Sequence, residues 1–206
     1  MANLFPLFLK LEGQKCVVVG GGKIADSKLD LLLAAGAYVR VVAPEATERI
    51  RELDRRGALC WDPYCFAPRD LDNALLTVAA TGTREVNEQV FRAAAERGVL
   101  CNAVDDPERC HFYYPAVVQR GDLQIAISTS GKSPALAQRI RIELEQRFDE
   151  GYSDWLSWLG SVREMFFRRP IEPEQRRQAL HKIAGGGVYE RFRLSRERRR
   201  QGASHG

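Results

Sequence analysis

Residues 16–25 read Cys16-Val17-Val18-Val19-Gly20-Gly21-Gly22-Lys23-Ile24-Ala25, and no other segment restricts the fold as tightly. An apolar run without polar alternation suits a strand buried on both faces of a parallel sheet. Ala25, Leu29, Leu32 and Leu33 then recur at helical spacing up to Gly36, which stands where a C-terminal cap belongs. Tyr38 to Val42, stopped by Ala43-Pro44, completes a strand–helix–strand unit. In that setting the turn is a G-x-G-x-x-A in which each small residue has a task. Gly20 permits the tight turn, Gly22 lets the backbone approach a diphosphate, and Ala25 lets the helix pack closely on the strand. The helix N-terminus offers free N–H groups to the anion. The competing reading is a glycine-rich corner that holds no ligand.

The alternation continues along the chain. Ile50 to Arg56 reads as helix, Leu59 to Trp61 as a short strand and Leu75 to Ala79 as a buried one. Arg84 to Arg97 is a helix ended by Gly98, and Val99 to Val104 is the next strand. Repeated βαβ units imply an α/β fold with a Rossmann-like, doubly wound parallel sheet. After Pro107 the pattern changes. Phe112 to Gln119 and Leu123 to Ser128 read as a hairpin joined by Arg120-Gly121-Asp122, a turn longer than two residues. Ser133-Pro134 opens a helix with Leu136, Ile140 and Leu144 on one face, running to about Phe148. Beyond Gly151, a stripe of Trp155, Leu156, Leu159, Val162 and Phe166 marks a further helix, and the Trp155/Trp158 pair reads as core or subunit packing. Three parts are expected: a nucleotide-binding domain over 1–112, a strand–helix segment over 113–150, and a helical, basic part over 151–206.

Charge and composition narrow the function classes. A chain of 206 residues with 45% apolar residues can bury a sizeable core. No apolar run approaches the roughly 20 residues a bilayer span needs, and the short apolar start, interrupted by Pro6, reads as no signal peptide. The five Cys lack a C-x-x-C, which points to reduced thiols and a cytoplasmic protein. The net charge of +4 is uneven: residues 163–206 carry 12 basic against 5 acidic side chains, and the preceding part carries 19 against 22. A mildly acidic body argues against nucleic acid as a partner, and Arg196 to Arg200 reads as a solvated, frayed terminus. Ser130-Gly131-Lys132-Ser133 mimics the end of a P-loop, but its first glycine would fall on Ala126, which argues against a nucleoside triphosphatase. His111 is the one His near these motifs and reads as structural. No His/Cys cluster has metal-site spacing, and no resident metal is expected.

An acid at the end of the second strand would hold the adenine ribose. Glu45 sits slightly late for that role and is either the ribose ligand or a solvated loop acid. No arginine directly follows Val42, which favours NAD over NADP. Asp105 stands just past a strand that ends at the carboxyl edge of the sheet, where ligands bind in open α/β folds, and a carboxylate there can serve as a base. Asp-Asp-Pro is also ordinary turn chemistry, and Asp106 reads as a cap of the Pro107 turn.

Taken in order, the segments Phe5-Pro6-Leu7-Phe8-Leu9, Val17 to Ala25 with Lys28, Val41-Val42-Ala43-Pro44, Ala79-Ala80-Thr81, Cys101-Asn102-Ala103-Val104-Asp105-Asp106-Pro107 and Ile127 to Ala137 resemble the N-terminal family of sirohaem synthases. That family comprises precorrin-2 dehydrogenases and their bifunctional ferrochelatase relatives. The resemblance covers roughly residues 1–150 and implies NAD-dependent oxidation of precorrin-2 to sirohydrochlorin. In bifunctional members ferrous iron is then inserted. It also implies a homodimer joined through the middle segment. It places cofactor contacts on Lys23, Ile24, Pro44 and Glu45, which with Gly20, Gly22 and Thr81 form the expected cofactor set. The key carboxylate falls on Asp105. A polycarboxylate substrate calls for cations and hydrogen-bond donors. The candidates are Ser128, Thr129, Ser130 and Lys132, whose competing reading is a capping loop. Two rival functions stay open: an NAD-sensing regulatory module, and a tetrapyrrole chelatase or carrier without redox activity.

Overall fold

The computed structural model describes residues 4–203, with side chains described through residue 196. Contacts divide the chain into two compact units, one spanning Phe5–Tyr114 and the other beginning at Pro115.

In the first unit, β1 (Lys15–Val19), β2 (Tyr38–Val42), β3 (Cys60–Asp62), β4 (Leu76–Ala79) and β5 (Leu100–Ala103) form one parallel sheet in the order β3-β2-β1-β4-β5. Three helices connect them: α1 (Lys23–Ala34), α2 (Glu48–Arg55) and α3 (Arg84–Arg97). Side chains of successive strand residues point to opposite faces, so β1, β2, β4 and β5 feed two cores, while the edge strand β3 contributes Trp61 to one of them. Cys16, Val18, Val39, Val41 and Val78 pack with Ala25, Leu29 and Leu32 of α1 and Ile50 of α2. Val17, Val19, Ala79, Cys101 and Ala103 pack with Val90, Ala93 and Ala94 of α3. Burial on both faces explains why β1, β2, β4 and β5 are mostly apolar. The strand order reverses between β1 and β4, which puts the ligand crevice at the carboxyl ends of those two strands.

The second unit begins with the antiparallel hairpin β6 (Ala116–Arg120) and β7 (Leu123–Ile127). Arg120 pairs with Leu123, so the turn is the two-residue Gly121-Asp122 rather than the longer loop expected. Gly121 has φ +58, the first central position of a type II′ turn. Arg120 stays in the strand because its guanidinium, largely buried, donates to Phe148 O (2.8 Å) and Glu145 O (3.2 Å) at the end of α4 (Pro134–Arg147). Three more helices follow: α5 (Gly151–Phe167), α6 (Pro173–Ile183) and α7 (Gly186–Ala203). Trp155 of α5 is buried against Tyr189 and Phe192 of α7 and stacks on Trp158 at 5.1 Å between ring centroids. The arginine run expected to fray lies within α7, although its side chains beyond Arg196 fall outside the described residues.

All five Cys are free; Cys16 and Cys101 are buried, Cys60 and Cys110 half-buried, and Cys65 exposed. Among the described residues no helix is long and apolar enough to cross a membrane.

Candidate active site

The glycine turn sits at the crest of β1, on the reversal point of the sheet. Gly20 adopts φ +118, and a Cβ there would run into Ala80 O and come within 2.8 Å of the Ala80 carbonyl carbon. A Cβ on Gly21 would collide with Glu45 O and lie 2.9 Å from Ala46 Cα. Gly22 differs: its φ is −84, and a Cβ would meet nothing within 4 Å. Gly20 and Gly21 are therefore required by packing, whereas Gly22 faces open space at the start of α1. No side chain caps that helix start, and the first N–H of the intrahelical ladder is that of Asp26, bonded to Gly22 O (3.0 Å). The preceding N–H groups and the positive end of the helix dipole are available to an anion. Lys23 and Ile24 are exposed beside them, and Ala25 is fully buried as the close helix–strand packing requires.

The β2–α2 loop is fastened to this turn. Thr47 N donates to Gly21 O (2.9 Å), and Thr47 Oγ1 caps α2 by accepting from Ile50 N (3.3 Å). The same hydroxyl donates to Asp26 (3.3 Å), and Arg49 pairs with Asp26 (2.6 Å) and with Asp30. Pro44 and Glu45 lie exposed on this loop. Beyond β4, Thr81 is held by Asn87: its N–H and hydroxyl both donate to Asn87 Oδ1 (3.1 and 2.7 Å), and Asn87 Nδ2 returns a bond to Thr81 O (3.2 Å).

Asp105 follows β5 at the same edge of the sheet. Its φ of +61 lies in the left-handed region, an uncommon setting for a residue with a Cβ, though Asp tolerates it better than most. The side chain is exposed and lines a cleft of about 200 Å³ shared with Lys28, Asn102, Cys110, Tyr113 and Tyr114. Asp106 is not a side-chain cap of the Pro107 turn. It pairs with Arg109 at 2.5 Å, and Arg109 also reaches Glu88 at 3.4 Å. Asn102 Nδ2 donates to Phe112 O (2.8 Å), tying the strand end to the returning chain. The Cys110 thiol donates to Ala103 O and Asp106 O (3.2 Å each), and burial pushes it up from the ordinary thiol range. His111 Nδ1 accepts from Cys101 N (3.1 Å), and the ring packs on Phe91 at 5.1 Å, a structural role. Among the described residues no group of three or more His, Cys, Asp or Glu could hold a metal ion.

In the second unit, residues 128–132 form the loop between β7 and α4. Thr129 Oγ1 is committed locally, donating to Ser133 O (3.1 Å) and accepting from Ser133 N (3.2 Å), while Ser133 Oγ caps α4 through Leu136 N (3.2 Å). Ser128 Oγ accepts from Ser130 N (3.1 Å). Ser130 and Gly131 take φ +53 and +77, and Ser128, Ser130 and Lys132 are exposed. Thr129 is thus part of the cap, and the other three side chains are presented outward.

Residues 7–116 match a family model described as NAD(P)-binding, and residues 120–147 match one described as sirohaem biosynthesis protein central. A solved structure described as SirC, precorrin-2 dehydrogenase, superposes with a TM-score of 0.81 at 30% identity, covering 96% of this chain and 98% of that one. The chain belongs to the sirohaem synthase N-terminal family. Family relatives include a siroheme synthase of Chromobacterium violaceum, 41% identical over 184 residues, and siroheme synthase 3 of Aeromonas hydrophila, 38% identical over 183. Each alignment covers 89% of this chain but only 39% of the relative, so the chain spans about two fifths of their length.

Several contacts in this family member had no signal in sequence pattern. The Asn87 bracket on Thr81, the Asp26–Thr47–Arg49 clasp and the placement of Lys28 over the Tyr114 ring (4.8 Å) join residues from separate elements. Lys28 was visible only as part of the resemblance, six residues past Gly22.

Proposed function

We propose that this chain catalyses the NAD-dependent dehydrogenation of precorrin-2 to sirohydrochlorin. Asp105 carries the reading: an exposed carboxylate, with no ion pair among the described residues, is held at φ +61 in a cleft at the same sheet edge as the glycine turn. A non-glycine residue in this region costs on the order of 1–3 kcal/mol, is held there by the surrounding structure, and is found most often at active sites and ligand clamps. The match to SirC supports the choice of substrate.

The residues fit a dinucleotide. The uncapped start of α1 and the open space beside Gly22 suit a diphosphate, with Gly20 shaping the turn and Lys23 and Ile24 flanking it. Pro44 and Glu45 border the adenosine side, and Thr81, fixed by Asn87, borders the nicotinamide side. Arg49 is committed to Asp26 and Asp30 rather than free for a ribose phosphate, which favours NAD over NADP. When bound, NAD supplies the acceptor for the hydride. Asp105 accepts the proton lost from the tetrapyrrole in the same oxidation, as a positioned general base. Ser128, Ser130 and Lys132 offer donors to substrate carboxylates, while Thr129 shapes their loop. The working form is a homodimer. The Asp105 carboxylate can also take up pyrrole N–H protons as ferrous iron enters sirohydrochlorin.

Absorbance spectroscopy tests this. With precorrin-2 and NAD, the sirohydrochlorin spectrum and NADH should appear together, and adding ferrous iron should convert the product to sirohaem. Asp105→Ala should lower turnover at least a hundredfold, in the range expected for loss of a general base, with NAD affinity retained. Asp105→Gly controls for folding, because glycine accepts φ +61 freely. It should be at least as stable as the parent and as inactive as Asp105→Ala. A wild-type protein that binds NAD but leaves precorrin-2 unchanged would favour the sensor reading. Iron insertion without NADH formation would favour the chelatase.

A further inference from the structure

The cleft that holds Asp105 contains a second charged side chain with no assigned task. Lys28 lies on the second turn of α1, half-buried, with its ammonium 4.8 Å from the centre of the Tyr114 ring. Tyr114 is wedged against the core cluster that includes Cys16, Val18 and Leu29, and its hydroxyl is buried without a partner. The ring is therefore a fixed platform, and Lys28 rests on its face by a cation–π contact. Among the described residues Lys28 forms no ion pair. The other charges lining the cleft are Asp105 and Asp106. Asp106 is neutralised by Arg109 at 2.5 Å, and no ion pair of 4.0 Å or less joins Lys28 to Asp105.

A half-buried ammonium that faces a cleft, is steadied by an aromatic face and is left unpaired beside an acid is a receptor for an anion. The group that enters the cleft shares about 200 Å³ with Asp105. We propose that Lys28 is the residue that binds a peripheral carboxylate of the tetrapyrrole in the cleft that holds Asp105. This rests on the function proposed above. The pairing is charge-assisted, with the ammonium donating to a carboxylate oxygen. It acts in ground state and transition state alike, which makes Lys28 a determinant of affinity rather than of proton transfer. The diphosphate of the coenzyme is served instead by the backbone at the start of α1, five residues earlier.

Lys28→Met keeps most of the length of the side chain and removes its charge; Lys28→Arg keeps a cation able to stack on Tyr114. For precorrin-2 oxidation, Lys28→Met should raise KM at least tenfold with kcat changed less than threefold and NAD affinity unchanged, and Lys28→Arg should recover most of the loss. A Lys28→Met protein with parental KM, or one whose defect lies in NAD affinity, overturns the proposal. A binding experiment separates this from the activity itself. Titration with uroporphyrin, a porphyrin polycarboxylate followed by its Soret band, should show affinity at least tenfold weaker in Lys28→Met, restored in Lys28→Arg and declining with salt in the parent. Equal affinities overturn the role of Lys28 even if the parent oxidises precorrin-2. Conversely, an inert parent that still loses uroporphyrin affinity on Lys28→Met overturns the dehydrogenase and leaves the carboxylate site standing.

Discussion

At the scale of single residues, the three consecutive glycines do different things, and the difference is measurable. Gly21 is pressed against the backbone of Glu45 and Ala46, which cannot move away as a flexible side chain would. Gly22 faces open space with an unexceptional φ. Gly21→Ala should therefore cost about 1–3 kcal/mol through overpacking, read as a fall of several degrees in melting temperature. Gly22→Ala should leave the melting temperature within a degree or so of the parent, yet weaken NAD binding at least tenfold, because its methyl would occupy the approach of the diphosphate. A Gly22→Ala protein that binds NAD like the parent would contradict the assignment of the turn. The reverse pattern, a destabilised Gly22→Ala, would mean that the space beside it is part of the fold.

At the scale of elements, the central strands carry a thermodynamic signature. Burial pushes the Cys16 thiol of β1 up to about 11 from 9.0, and burial, with a smaller contribution from Cys110, pushes Cys101 of β5 up to about 12. In the unfolded chain both lose their protons near 9.0. Below that pH both states are protonated and stability does not depend on these groups. Above it the unfolded state binds fewer protons, so stability falls as pH rises towards the folded values. Urea midpoints should be level up to about pH 8 and decline between about pH 9 and 11. The slope should be shallower in a Cys16→Ala, Cys101→Ala protein; equal slopes would show that these thiols are not the cause. The strands themselves were legible because double-sided burial leaves a continuous apolar run, and β2 and α3 were read to their final residues. The hairpin turn was misjudged because Arg120 is held in β6 by carbonyls at the end of α4, 25 and 28 residues away, which no local pattern reports. The site divides similarly. The glycine turn is local chemistry and readable. Asp105 stood out through resemblance, since Asp-Asp-Pro alone suits any turn. Lys28 on Tyr114 and Asn87 on Thr81 depend on how separate elements meet, and sequence spacing does not encode that.

At the scale of the whole molecule, the two units are built differently. The first buries both faces of its sheet under helices. In the second, the buried apolar side chains among the described residues are Val118, Ala137, Trp155 and Tyr189, while Leu136, Ile142, Trp158, Met165, Phe167 and Leu194 are exposed. So thin a core offers little to offset the entropy of ordering four helices and a hairpin, at about 1–2 kcal/mol per residue for backbone alone. Association of two copies through this unit would supply the missing burial, as the proposed homodimer requires. Sedimentation should then show a species of twice the 23.2 kDa chain mass at micromolar concentration, and dilution should shift it towards the single chain. Linkage adds a sharper requirement: if folding of the second unit is coupled to association, its unfolding temperature must rise with protein concentration. Tryptophan fluorescence can follow that unit, because Trp155 and Trp158 lie within it and Trp61 alone lies in the other, so a Trp61→Phe protein reports on the second unit only. A fluorescence melt independent of concentration, with the single-chain mass throughout, would show that the thin core stands by itself and that the homodimer reading is wrong.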